Sequence, residues 1–169
     1  PHASIGLAKA VTDQREIESG VYEVDLALVV ENLSQDTTAL NVQVTDDLSE
    51  TFAAAISFEV MGIPDVGSFT APLSPYDGRD NIAFLSGSDS LAPGARETIR
   101  FTVRVNAGAT SGIFLNSALV TTALEPGGEA TAADFSDEGS EPDSDGDGFA
   151  NGPGEDDPTA ILLGPEAGL

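Results

Sequence analysis

The chain has 169 residues, and its hydrophobic fraction of 40% is enough to fill the core of one ordinary domain, which excludes a disordered tail. Its 29 acidic residues outnumber six basic ones, and the formal net charge of −23 makes nucleic acids and anionic membrane surfaces unfavourable partners. Cysteine is absent and the one histidine, His2, lies beside the terminus, so thiol, Ser-His and Cys-His catalysis are excluded and we expect no enzyme.

Apolar and polar residues alternate along most of the chain, with turn residues between the runs, which predicts an all-β protein. The inward faces are predicted, in chain order, for Ile5, Leu7, Lys9 and Val11; Tyr22, Val24, Leu26, Leu28 and Val30; Leu40, Val42 and Val44; Ile99, Phe101, Val103 and Val105; and Phe114, Ala118 and Val120. Shorter strands are predicted within residues 56–61, 82–85, 130–133 and 160–163. One helical turn is predicted at residues 51–55, and Leu91-Ala92-Pro93-Gly94 predicts a β-turn.

Eight to ten short strands without a helix long enough for a crossover predict an immunoglobulin-like antiparallel β-sandwich. We expect residues 1–169 to form a single domain, with a long acidic metal-binding loop at 134–157 and a final short strand at 159–163.

The loop at 134–157 has ten acidic residues among 24 and no basic ones. Within it, Asp143, Asp145 and Asp147 alternate before Gly148, a spacing that is typical of loops whose carboxylates converge on calcium. The predicted calcium ligands are Asp143, Asp145, Asp147, the Phe149 carbonyl, Asn151, Glu155 and Asp156.

This loop departs from an EF-hand, because Gly154 stands at the twelfth position, where an EF-hand has a bidentate Glu. Flanking helices are also not predicted, so the pattern favours a calcium site in a β-domain over a calcium sensor. Asp134, Asp137 and Glu138 are candidates to complete the site or to form a second one. The alternative is a solvated acidic loop that only increases solubility.

An ordered series of segments along nearly the whole chain resembles the bacterial "conserved repeat domain" family, also called domain of unknown function eleven. The segments are Gly20-Val21-Tyr22, Val29-Val30-Glu31-Asn32, Asn41-Val42-Gln43-Val44-Thr45-Asp46-Asp47-Leu48 with Phe52, Leu85-Ser86-Gly87-Ser88-Asp89-Ser90-Leu91-Ala92-Pro93-Gly94, Ile99 to Val105, Asn116-Ser117-Ala118 and Asp156-Asp157-Pro158-Thr159. The resemblance implies a β-sandwich that occurs in tandem in large secreted or surface-anchored bacterial proteins, as in stalks of adhesins or fibres.

Lys9 is the one lysine of the chain, and it falls on an apolar face of the first predicted strand. Continuing the alternation of two other predicted strands, the one with Val42 and Val44 and the one with Phe114 and Ala118, places Asp46 and Asn116 on the inner face as well. A buried Lys, Asn and acid of this kind form an isopeptide bond in some surface proteins with immunoglobulin-like folds. The alternatives are a buried Lys9–Asp46 ion pair with Asn116 as a hydrogen-bond partner, or a lysine that extends past a strand edge to solvent.

The leading hypothesis is a calcium-stabilised structural repeat or subunit of an extracellular fibre or adhesin stalk on the bacterial surface. Its partners are neighbouring copies of the domain, and any host or surface ligand is expected to bind elsewhere in the parent protein. One alternative is a filament subunit that polymerises by exchange of a terminal strand, at residues 4–11 or 159–163. Another is a carbohydrate-binding module, for which Tyr76 is the exposed aromatic candidate.

Since the chain begins with Pro1 and shows neither a signal-peptide pattern nor a membrane-spanning run, we expect a processed form or a segment of a longer protein.

Overall fold

The computed structural model describes residues 5–109, 112–123, 131–143 and 156–163, of which 57% are in β-strands and almost none are in a helix. The prediction of an all-β chain is confirmed. The elements are β1 (Ile5–Glu18), β2 (Val21–Asn32), β3 (Ala39–Thr45), α1 (Leu48–Thr51), β4 (Ser57–Asp65), β5 (Asp89–Leu91), β6 (Arg96–Asn106), β7 (Gly112–Asn116), β8 (Leu119–Ala123), β9 (Thr131–Phe135), β10 (Asp137–Glu138) and β11 (Thr159–Leu163).

The strands form a five-stranded sheet of order β10-β1-β2-β6-β4, a four-stranded sheet of order β5-β3-β8-β9 and a two-stranded sheet of β11 and β7. The pairing is antiparallel except between β1 and β10, where two residues of each strand pair in parallel. Apolar side chains of all three sheets meet in one hydrophobic cluster. This is the arrangement of a β-sandwich.

The long strands β2 and β6 form the centre of the larger sheet, and their pairing runs without interruption from Val21↔Asn106 to Glu31↔Arg96. Their alternation is the one predicted, because every second side chain points to the same face of a strand. The predicted inward residues are all buried, namely Tyr22, Val24, Leu26, Leu28 and Val30 on β2, and Ile99, Phe101, Val103 and Val105 on β6. On β2 the opposite face is buried as well at Ala27 and Val29.

In β3 the prediction is wrong at one position, since Leu40 is only half-buried while Ala39 takes the core position. Asn41 adopts a left-handed conformation with φ of 51°, and the pairing of β3 with both neighbours shifts at this point. The irregularity resets the alternation by one residue. Beyond it, Val42 and Val44 are buried as predicted.

Two short segments also differ from their predictions. The helical turn α1 (Leu48–Thr51) lies three residues earlier than expected, because the Asp47 side chain accepts a hydrogen bond from the Ser49 backbone N–H and caps the turn there. Residues 82–85 form only an isolated bridge, in which Ala83 pairs with Thr45. The predicted turn before β6 is present, with Gly94 at a φ of 75°.

Candidate functional site

Lys9 lies in the middle of β1 and is completely buried, with 0% of its surface exposed. β1 is an inner strand of its sheet, between β2 and β10, and Lys9 shares its inward face with Ile5 and Leu7. The two hydrogen-bonded neighbours of β1 and the core in front of this face leave the side chain no route to solvent at a sheet edge. The interpretation that Lys9 extends past an edge is therefore wrong.

Asp46 and Asn116 stand at the ends of β3 and β7, with exposures of 2% and 1%. The backbone of Asp46 is fixed on both sides, because its N–H donates to the Ile82 carbonyl and its carbonyl accepts a 2.9 Å hydrogen bond from the buried Tyr76 hydroxyl. Asn116 pairs with Thr159 of β11. Rigid strand ends thus position both polar side chains.

The carboxyl group of Asp46 contacts both other members of this polar cluster, which we define as Lys9, Asp46 and Asn116. Its Oδ2 atom accepts a hydrogen bond from Lys9 Nζ, and its Oδ1 atom accepts one from Asn116 Nδ2 at 2.7 Å. Asn116 Nδ2 also donates to the Thr51 hydroxyl at 2.9 Å. Asn116 Oδ1 is buried and accepts no hydrogen bond from the described residues.

Burial lowers the pKa of Lys9 below its ordinary value of 10.5, because removal from water penalises the ammonium form. The charge of Asp46 and its hydrogen bond act in the opposite direction without cancelling the effect of burial. The Phe101 ring, whose centroid lies 5.4 Å from Lys9 Nζ, contributes an apolar wall. Burial likewise raises the pKa of Tyr76 far above its ordinary value.

The polar cluster therefore holds an amine, a carboxyl group and a primary carboxamide together in the core. If the lysine is charged, the cluster is a buried ion pair with one amide partner. If its proton moves to Asp46, the amine becomes a nucleophile beside a carboxamide and a carboxylic acid. Thr51 and Tyr76 complete the surroundings and were not predicted to lie there, since Thr51 ends the short helix α1 and Tyr76 lies in an irregular segment, and neither carries a strand alternation that points to the cluster.

Most of the predicted calcium ligands, namely Asp145, Asp147, Phe149, Asn151 and Glu155, lie outside the described residues. Of the other two, Asp143 is half-buried and Asp156 is exposed. No group of three or more His, Cys, Asp or Glu residues that could hold a metal is found within the part of the chain that is described.

Both ends of the acidic loop are attached to the sandwich by buried acids. Asp134 Oδ2 accepts a 2.9 Å hydrogen bond from the Leu7 backbone N–H, and Asp137 Oδ1 accepts one of 3.3 Å from the Asp157 N–H. The Glu138 N–H in turn donates to the Asp157 carbonyl at 2.9 Å. The loop thus begins and ends next to β1, close to Lys9.

Tyr76 is not the exposed aromatic residue that carbohydrate binding was expected to use. Its ring is buried and stacks on Phe84 with a centroid distance of 3.8 Å. Tyr22 is buried too, so neither tyrosine of the chain offers a surface for a sugar ring.

No helix among residues 5–109, 112–123, 131–143 and 156–163 is long and apolar enough to cross a membrane.

Comparison with known proteins identifies weak similarities in structure alone. No family model and no curated protein matches the chain. The N-terminal domain of PorA is 12% identical with a TM-score of 0.37, over 80% of this chain and 97% of that one. A family 123 glycoside hydrolase from Clostridium perfringens is 11% identical with a TM-score of 0.37, over 82% of this chain and 28% of that one. An uncharacterised β-sandwich protein from Clostridium difficile 630 is 12% identical with a TM-score of 0.22, over 78% and 80% of the two chains. TM-scores this low carry no argument about function.

Proposed function

We propose that the chain is a structural module, a calcium-stabilised repeat or subunit that adds length and stiffness to an extracellular bacterial fibre or adhesin stalk. In this proposal it is an immunoglobulin-like member of the conserved repeat domain family and not an enzyme. The observation that carries the proposal is the relative direction of the first and last described strands.

β1 and β11 lie side by side and run in the same direction. Thr159, at the start of β11, donates a 2.8 Å hydrogen bond from its hydroxyl to the Lys9 carbonyl, and near the end of β11 the Leu162 carbonyl accepts one from the Gln14 side chain. Gln14 is nine residues after Ile5, which corresponds to about 30 Å along a strand. The start of β1 and the end of β11 therefore lie at opposite ends of the sandwich.

This geometry suits a module in a linear series, because each copy places the next one farther along the same axis. It also loads β1 and β11 in shear when the two ends are pulled apart. Under shear, the contacts between the two strands have to break together and not one after another. A domain whose first strand starts and whose last strand ends on the same side of the sandwich would add little length to a stalk.

Calcium is proposed to rigidify the acidic loop next to these strands. The support is the position of Asp134 and Asp137, two carboxylates that are almost completely buried where the loop leaves and rejoins the sandwich. Hard oxygen ligands suit calcium better than zinc or copper. A cation there also reduces the repulsion within a chain of net charge −23.

The proposal is tested by joining two copies end to end and measuring the maximum dimension by small-angle X-ray scattering. β1 alone has 14 residues, about 46 Å at the rise of a β-strand, so each added copy should lengthen the particle by about that amount. A tandem that grows only by the width of a sandwich would contradict the stalk geometry.

The alternative, a filament that polymerises by strand exchange, is less favoured by the pairing of the terminal strands. β1 pairs with β2 and β10, and β11 pairs with β7, all within one chain. Light scattering across a range of concentrations separates the two functions. A constant monomer mass supports the stalk module, whereas growing polymers would favour strand exchange.

A further inference from the structure

The polar cluster of Lys9, Asp46 and Asn116 brings together the three chemical groups of an exchange between an amine and an amide, with the acid in contact with both others. A lysine amine attacks a carbonyl carbon only as the neutral form, and burial already lowers the pKa of Lys9. Asp46 is in direct contact and can take up the proton. The transfer replaces two buried charges by two neutral groups, which the low polarity of the core favours.

The carboxamide of Asn116 is placed for activation by the same acid. Asn116 Oδ1 is buried without a hydrogen-bond donor among the described residues, which is costly for a core amide. Rotation by half a turn about the Cβ–Cγ bond exchanges Oδ1 and Nδ2. The oxygen then faces Asp46 Oδ1 and the Thr51 hydroxyl, at the 2.7 and 2.9 Å distances that the nitrogen now occupies. A protonated Asp46 and Thr51 both donate to it there and polarise the carbonyl.

We propose that Lys9 and Asn116 are joined by an intramolecular isopeptide bond whose formation Asp46 assists. The neutral Lys9 Nζ attacks Asn116 Cγ, and the new C–N bond forms while the Cγ–Nδ2 bond breaks. Asp46 carries one proton from Nζ to Nδ2, which leaves as ammonia, and ends in the protonation state in which it started this step. The exchange needs no oxidant, reductant or cofactor.

The bond would connect β1 to β7, and β7 in turn pairs with β11. It therefore links the first described strand covalently to the partner strand of the last one. The bond itself does not depend on the stalk function, because it forms or fails to form in an isolated copy.

The test is a tryptic peptide map of the purified wild-type chain, read by mass spectrometry. The six basic residues are Lys9, Arg15, Arg79, Arg96, Arg100 and Arg104. A bond blocks cleavage after Lys9, so residues 1–15 should appear joined to residues 105–169 as one branched peptide. The intact mass should be lower than the sequence mass by one ammonia.

Two results would overturn the proposal. One is a full sequence mass with residues 1–9 and 105–169 as separate peptides, which leaves only a buried ion pair. The other is an ammonia loss confined to the linear peptide 105–169, which indicates cyclisation at Asn151-Gly152 and no bond to Lys9.

Asp46→Asn and Asp47→Asn form a matched pair for the role of the acid. Asn also caps helices well, so Asp47→Asn keeps the cap of α1 and should retain the branched peptide. Asp46→Asn should lose it. A folded Asp46→Asn chain that still yields the branched peptide would overturn the role of Asp46. If that variant does not fold, the wild-type map still decides whether the bond exists.

Discussion

Replacing Asp46 with asparagine should produce a domain whose stability rises with pH. Asp46 provides both influences that raise the pKa of Lys9, its charge and its hydrogen bond, while burial lowers it. Without the carboxylate, burial acts almost alone, so the pKa of Lys9 in the folded variant should fall further and the neutral amine should be favoured. The unfolded chain binds a proton at the same lysine up to its ordinary pKa of 10.5.

The size of the effect follows from this difference in bound protons. Between the lowered pKa of the folded state and 10.5, the unfolded state binds one more proton, so the free energy of unfolding increases by about 1.4 kcal/mol per pH unit. Two pH units within this window give about 2.7 kcal/mol. Below the lowered pKa the contribution is constant, because both states are then protonated.

The assay is urea unfolding of Asp46→Asn at several pH values between neutral and 10, with the double variant Lys9→Met, Asp46→Asn as the control. Burial raises the pKa of Tyr76, so its titration removes stability only above its ordinary value of 10.0 and does not enter this range. The control should lack the slope that belongs to Lys9. Equal slopes in the two variants would refute the assignment of Lys9 as a buried amine.

The remaining predictions concern calcium, the Tyr76 hydroxyl and two glycines. Calcium should raise the melting temperature and a chelator should lower it, with most of the effect lost in Asp145→Ala; equal midpoints would contradict a site. Tyr76→Phe should cost about 1 kcal/mol in urea unfolding, since the Asp46 carbonyl loses its donor; an unchanged stability would show that this hydrogen bond is not needed. Gly20→Ala should destabilise more than Gly94→Ala, because a Cβ at Gly20 would lie 2.5 Å from the Gly108 carbonyl oxygen, while Gly94 has open space at a similar φ; equal unfolding free energies would contradict the contact.

The faces of the strands could be predicted from the sequence because alternation is a local property. In β2 and β6 the face to which each side chain points follows from its neighbours in sequence, because no bulge interrupts the pairing of the two strands. Leu40 shows the limit of this reasoning. A single left-handed residue, Asn41, moves the preceding residues to the other face, and nothing in the alternation indicates that it will do so.

The contacts within the polar cluster could not be predicted in the same way. Alternation along each strand places Lys9, Asp46 and Asn116 on inner faces. Whether they meet depends on their positions along three different strands, which are set by the strand register and by the stacking of the sheets. For Asp46, the position depends in turn on the adjacent Asp47 cap and on a hydrogen bond from Tyr76, which lies 30 residues later in the chain. The acidic loop gave a ligand spacing, yet spacing alone does not define which oxygens converge.

A covalent bond at Lys9 would change what limits the strength of this domain. It closes a loop of roughly 100 residues, for which the chain-entropy model of cross-links gives about 4.7 kcal/mol, close to the lower end of the 5–15 kcal/mol total that is typical of domains. The chain has no cysteine to supply this by disulfides, and its net charge of −23 opposes compaction. The bond also alters the path of a pulling force, which would pass from β1 through Lys9 and Asn116 into residues 117–169, so that β8 to β11 stay in the loaded path. Residues 10–115 would then lie outside the loaded path, and the hydrogen bonds of β2, β3 and β6 would not have to resist extension at all.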